Sequence, residues 1–258
     1  MRPALHAEWT KIRTVASPVW LLLGTIVATV ALSAGATSVV TCTAAGCGGD
    51  VTKHSLAGVV LGQALVAILA VLVISGEYSS GMIRTTLTAM PHRATAFAAK
   101  AITLTGVVAA AGTVAALGSL LAGRLVLPGD GRTAARGHPA LSLADGPTLR
   151  AVVGSILYLI LIALLSLGIA AIVRDSATSI GVILGLLYLL PILSQVIGNA
   201  RGQRLLEQIG PMSAGLAIQA TTNLHNLPLR PWAGLGVTAG WAAAALMAGG
   251  LLLRIRDA

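Results

Sequence analysis

Six separate stretches of the chain, each about 20 residues long, contain no Asp, Glu, Lys, Arg or His: Val19 to Val40, Leu56 to Ser75, Ala101 to Leu121, Ala151 to Val173, Ser179 to Ile197 and Trp232 to Leu253. Runs of that length match the thickness of a bilayer. Inside lipid every backbone N–H and C=O must find its partner within the protein, so only helices and closed barrels can span it. Barrel strands would alternate apolar and polar residues, and these runs are apolar throughout. The predicted fold is an all-α membrane protein, one domain over residues 1–258 with six transmembrane helices. Composition agrees: 56% of residues are hydrophobic and 10% charged, and the mean hydropathy is +0.88, values that exclude a water-soluble globule.

The flanks of the first span set its direction. Arg2, Lys11 and Arg13 precede it and only Lys53 lies in the loop that follows, which favours a cytoplasmic N terminus. An even number of spans then puts both termini on that side. The net charge of +9 suits anionic lipid headgroups; no basic, aromatic-interleaved groove supports nucleic-acid binding. The basic start, the run from Val19 and Ala34-Gly35-Ala36 also fit a cleaved leader. The leading region is long and the apolar run continues through Val40, so it is read as the first span. Cys42 and Cys47 fall in the first outside loop, four residues apart counting only those between them. They are read as a local disulfide, with two free thiols as the alternative.

Outside the spans three segments carry pattern. Leu5, Trp9, Ile12 and Ala16 recur at helical spacing with Glu8, Lys11 and Arg13 off the stripe, so residues 1–17 are predicted to form an interfacial amphipathic helix, ended by Ser17-Pro18. The stretch 124–150, rich in Gly, Pro and Arg, reads as a loop. The stretch 198–231 is too apolar for one: Leu205, Leu206, Ile209, Met212, Leu216 and Ile218 suit short outer helices dipping into the membrane or capping the bundle, parted by Pro211. Between spans four and five, Asp175 or Ser176 is available as a helix N-cap. Small residues four apart, Gly58 with Gly62, Gly181 with Gly185 and Gly236 with Gly240, allow close helix approach within or between subunits. No internal repeat is visible.

Chemistry is sparse. The polar residues within the runs, among them Gln63, Ser75, Tyr158, Ser166, Tyr188 and Gln195, can bond across helices or touch a substrate. His6, His54, His92, His138 and His225 are scattered, no H-E-x-x-H occurs, and none of Lys11, Lys53 and Lys100 is followed by Ser or Thr as a phosphate-binding loop requires. No catalytic, cofactor or metal site is expected. Any nucleotide-driven motor must be a second polypeptide.

The one polar stretch patterned for a partner is residues 76–93. Glu77-Tyr78-Ser79-Ser80-Gly81-Met82-Ile83-Arg84-Thr85-Thr86-Leu87, followed by Pro91 and Arg93, resembles the cytoplasmic segment after the second span of ABC-2 type transporter permeases. The two ends, Glu8 to Thr14 and Trp232 to Ala258, look like those of the actinobacterial members. Met82-Ile83-Arg84 departs from the pattern, in which many relatives place threonine directly after the glycine. The resemblance implies a bacterial plasma-membrane exporter subunit, paired with a second permease copy or homologue and with ATP-binding cassette ATPase subunits that bind ATP and Mg. Residues 76–93 would be its coupling helix. Glu77, Tyr78, Gly81, Met82, Ile83, Arg84, Leu87, Pro91 and Arg93, together with Glu8 and Trp9, would receive the ATPase. A secondary carrier and a non-transporting anchor or sensor subunit are the alternatives.

Overall fold

The structure, a computed structural model, describes residue 10 and residues 16–40, 42–43, 46–47, 49–79, 93–126 and 142–255. In chain order its elements are α1 (Ala16–Ser38), the two-residue strands β1 (Cys42–Thr43) and β2 (Gly46–Cys47), α2 (Val51–Ser55), α3 (Val59–Ser79), α4 (Arg93–Val126), α5 (Gly146–Val173), α6 (Ser176–Val196), α7 (Ala200–Ile209), α8 (Pro211–Leu216), single 3-10 turns at Ala217–Gln219 and Leu224–Asn226, and α9 (Pro231–Ile255). Six helical stretches are long and apolar enough to cross a membrane: Ser17–Ser38, Val51–Gly76, Thr95–Val126, Gly146–Val173, Ser176–Val196 and Pro231–Leu253. They contain the six apolar runs, with modest shifts at the ends. One end of the bundle carries Asp50, the other the Asp175 turn between α5 and α6.

Helices run further than apolarity alone indicates. α4 has 34 residues, about 51 Å of rise, against a hydrocarbon layer of about 30 Å; tilt or interfacial ends absorb the excess. It takes in Arg124, which was read as loop, and Lys100, only 4% exposed and two turns from the helix start. Residues 146–150 likewise belong to α5, while 127–141 lie outside the described residues. At the Asp175 turn the N-cap expectation holds: the Thr178 backbone N–H donates to the Asp175 carboxylate at 2.7 Å, and Arg174 before it turns the chain with a φ of 66°.

α5 is the central helix. It packs on α9, α3 and α4, more lightly on α6, and its Tyr158, Leu159, Ile162, Leu165 and Leu167 are buried in the main core. Its closest partner is α9, where small residues let the two backbones meet. A Cβ added at Gly168 would lie 2.7 Å from the Ala245 carbonyl oxygen, and one at Gly249 would lie 2.9 Å from the Gly168 carbonyl oxygen. α1 packs on α3 and α4 with an unusual face: Thr25, Thr29, Ser33 and Thr37, four residues apart, are all buried. Trp20, Leu23, Val27 and Leu32 point away from the bundle. In lipid this inversion is expected, since apolar side chains gain nothing by leaving hydrocarbon while small hydroxyl residues permit close contact.

That hydroxyl stripe meets Gly58 and Gly62. A Cβ on Gly58 would strike the Thr29 carbonyl, and one on Gly62 the Thr29 hydroxyl. The other two glycine pairs do not do this: Gly181, Gly236 and Gly240 have nothing within 4 Å, and Gly185 meets only Leu189 of its own helix. Gly58→Val should therefore cost about 1–3 kcal/mol through overpacking and lower the thermal unfolding midpoint in detergent. Gly236→Ala should leave it unchanged or slightly higher, which size-exclusion chromatography after heating can read.

Candidate functional site

The longest-range polar contacts gather at the Asp50 end. Asp50 N-caps α2, accepting from the Lys53 N–H at 3.1 Å. Its carboxylate also takes the Thr221 hydroxyl at 2.7 Å, the Thr221 N–H, and the Thr222 N–H at 3.0 Å. Burial alone pushes this carboxyl up. The bonds from Thr221, Lys53 and Thr222 outweigh it and hold Asp50 below its ordinary range.

Below this anchor the chain between α7 and α9 turns back into the bundle. α8 packs against α9, and the 3-10 turn Ala217–Gln219 packs against α5. Ala214, Ile218 and Gln219 are buried. Glycine makes the room: a Cβ at Gly154 would strike Ile218, one at Gly215 would strike the Tyr158 ring, and one at Gly234 would strike the Ala214 carbonyl. Each helix break frees carbonyls, and side chains from the spans answer them. Trp241 Nε1 donates to Ile209 O at 2.9 Å and Thr238 Oγ1 to Pro211 O at 3.0 Å. Arg150 donates to Ala220 O. Gln219 Nε2 reaches the Ser155 hydroxyl at 3.0 Å and Leu56 O at 3.4 Å.

Under α8 lies a neutral polar cluster. Tyr158 donates to Gln63 Oε1, both side chains being fully buried. Tyr188 lies beside both and donates to Val60 O. The Gln63 Nε2 amide makes no hydrogen bond, nor does the buried Thr29 hydroxyl. Three of the intramembrane polar residues singled out from sequence thus meet in space. Ser75 and Ser166 instead bond back to Val71 O and Ile162 O of their own helices. The cluster offers hydrogen bonds to a ligand and contains no Asp, Glu, Lys, Arg or His. Among the described residues no group of three His, Cys, Asp or Glu side chains could hold a metal ion.

Most of the residues expected to receive a partner lie at or between the ends of α3 and α4 in the chain. α3 ends at Ser79 and α4 begins at Arg93, so the backbone of Glu77, Tyr78 and Arg93 is helical while their side chains, together with Gly81, Met82, Ile83, Arg84, Leu87 and Pro91, lie outside the described residues. Glu8, Trp9 and the rest of the predicted interfacial helix lie outside them too, apart from Thr10 and from Ala16 and Ser17, which open α1; α1 runs on through Pro18, where a break was expected. Cys42 stands opposite Cys47 in the antiparallel β1–β2 ladder; their side chains, and hence the disulfide, are outside as well. Sequence reasoning missed Asp50, Arg150 and Gln219, whose partners are far away along the chain.

No protein-family model matches this chain, and a search of curated proteins finds no significant relative.

Because the Asp50 carboxyl is depressed in the folded chain, its contribution to stability is present above about pH 4, the unfolded value, and is lost as pH falls through the lower folded value. The unfolding midpoint of the wild type should drop more steeply below pH 4 than that of Asp50→Asn, and a thermal melt across pH in detergent measures it. Tyr158→Phe should cost about 0.5–2 kcal/mol by leaving Gln63 Oε1 unmet. The double variant Tyr158→Phe with Gln63→Leu should cost less than the sum of the two single changes, which a double-mutant cycle reads.

Proposed function

We propose that this chain is the membrane-spanning permease subunit of an ATP-binding cassette exporter of the ABC-2 type, working with a separate ATPase and a second permease in a bacterial plasma membrane. One observation carries the reading: the pattern of residues 77–93, a glutamate, a glycine, a threonine-leucine stretch, then proline and arginine. The six apolar helices supply the setting, and the segment connects two of them, α3 and α4, at the Asp175 end. In this reading that end is cytoplasmic and both termini are on its side.

The mechanism follows from differential affinity, since a ligand shifts a two-state protein only as far as it binds one state better. ATP closes the cassettes, closure moves the docked segment, and α3 and α4 carry the movement into the bundle. Glu77 near the end of α3 would meet a basic group on the ATPase, while Met82, Ile83 and Leu87 would fill an apolar groove. The chain itself hydrolyses nothing; ATP and Mg belong to the partner. The neutral Gln63, Tyr158 and Tyr188 cluster suits an apolar or amphipathic cargo better than a charged one, because an ion in lipid needs a counter-charge.

A secondary carrier has one observation in its favour, the burial of Lys100. Lys100 is two turns, about 10 Å, from the start of α4, short of the midplane where ion-coupled carriers bind. Transport driven by an ion gradient without ATP would support that alternative.

The test is reconstitution with the ATPase encoded nearest to this chain. Glu77→Ala and Gly81→Trp should lower ATP-dependent export about ten-fold or more while leaving membrane insertion intact. Full transport by both variants, or failure of the wild-type pair to co-purify, would refute the coupling assignment.

A further inference from the structure

We propose that α7 is a binding site for an anionic phospholipid, with the phosphate held by Arg201 and Arg204 and the acyl chains lying along Leu205 and Ile209. The site is a cleft of about 320 Å³ lined by Ala200, Arg201, Arg204, Leu205 and Gln208.

Four observations carry the assignment. First, α7 descends into the bilayer. Trp241 is ten residues into α9, about 15 Å of rise, and its indole bonds the carbonyl of Ile209 at the last turn of α7. Ala200 at the other end follows directly on the surface turn after α6. Second, chemistry grades along that descent: the arginines occupy the first half, and Leu205 and Ile209, about half exposed, the second. A phospholipid has the same order from headgroup to tail.

Third, both guanidinium groups are exposed. Among the described residues no carboxylate pairs with Arg201 or Arg204, and the one acid of the helix, Glu207, accepts from Gln203 one turn away. Guanidinium binds phosphate through paired N–H donors, and two such groups near a membrane surface favour anionic lipid. Fourth, the helix is fixed in place. Asn199 Oδ1 caps it at the Arg201 N–H at 3.0 Å, Gln208 Nε2 bonds Pro228 O at 3.0 Å, and Ser213 Oγ bonds Glu207 O at 3.0 Å. A helix free to lie anywhere on the surface would not need these ties.

The experiment uses the full chain in lipid nanodiscs with Trp241 as the one tryptophan, made by Trp9→Phe, Trp20→Phe and Trp232→Phe. Phosphatidylglycerol brominated on its acyl chains should quench Trp241 at about thirty-fold lower mole fraction than brominated phosphatidylcholine, the size expected of two arginines at an anionic surface. Arg201→Gln with Arg204→Gln should abolish that preference, Arg201→Lys with Arg204→Lys should retain most of it, and added inorganic phosphate should leave it unchanged. Equal quenching by the two lipids in the parent protein, or a preference that survives the glutamine pair, overturns the site. Loss of the preference on adding inorganic phosphate overturns it too, in favour of a soluble anion.

Discussion

Hydrocarbon offers no hydrogen bonds, so each backbone group released by a break in a helix must be met by the protein itself. Most of this architecture follows from that demand. The chain interrupts its helices at residues 56–58, at Gly210 and after Leu216, and at each place a polar side chain from elsewhere meets part of the demand. Ser33 accepts from the Gly58 N–H at 3.0 Å and Gln219 reaches Leu56 O; Trp241, Thr238 and Arg150 serve the remaining breaks. Without these partners the fold-back of α8 would leave bare carbonyls at a cost of about 1–3 kcal/mol each. With them, irregular backbone sits among apolar helices as ordinary protein interior.

The same demand explains where the small and hydroxylated residues lie. Polar atoms needed inside leave little space for bulk, so α1 turns Thr25, Thr29, Ser33 and Thr37 inward and Gly58 and Gly62 press against them. Along α5, glycines alternate with large residues: Gly154 admits Ile218, Tyr158 supports Gly215, and Gly168 admits the backbone of α9. The central helix is thereby joined to the fold-back and to α9 by shape, while the hydroxyl of Tyr158 joins it to α3.

The six spans were legible in the sequence because, in lipid, length and apolarity are themselves the structural requirement. The Asp175 cap was legible for a local reason, the short range of an N-cap bond. Spacing served the glycines less well: Gly58 with Gly62, Gly181 with Gly185 and Gly236 with Gly240 share one interval, yet only the first pair faces another helix. An interval does not say which side of a helix is covered. Gly168 and Gly249, which do approach closely, belong to no such pair. Apolar content in 198–231 announced short helices but not that α8 would insert between α5 and α9, since that depends on cavities left by Gly154 and Gly234. The docking segment near Glu77 rests on sequence pattern alone.

Asp50 and Thr221 are separated by 171 positions, with four further spans between them. When the second span enters the membrane, the residues that will enclose this carboxylate have not been synthesised. The carboxylate keeps only its local bond to the Lys53 N–H until residues 221 and 222 have been made. A product cut before Thr221 would therefore carry its early helices and still lack this tie between the two halves of the bundle.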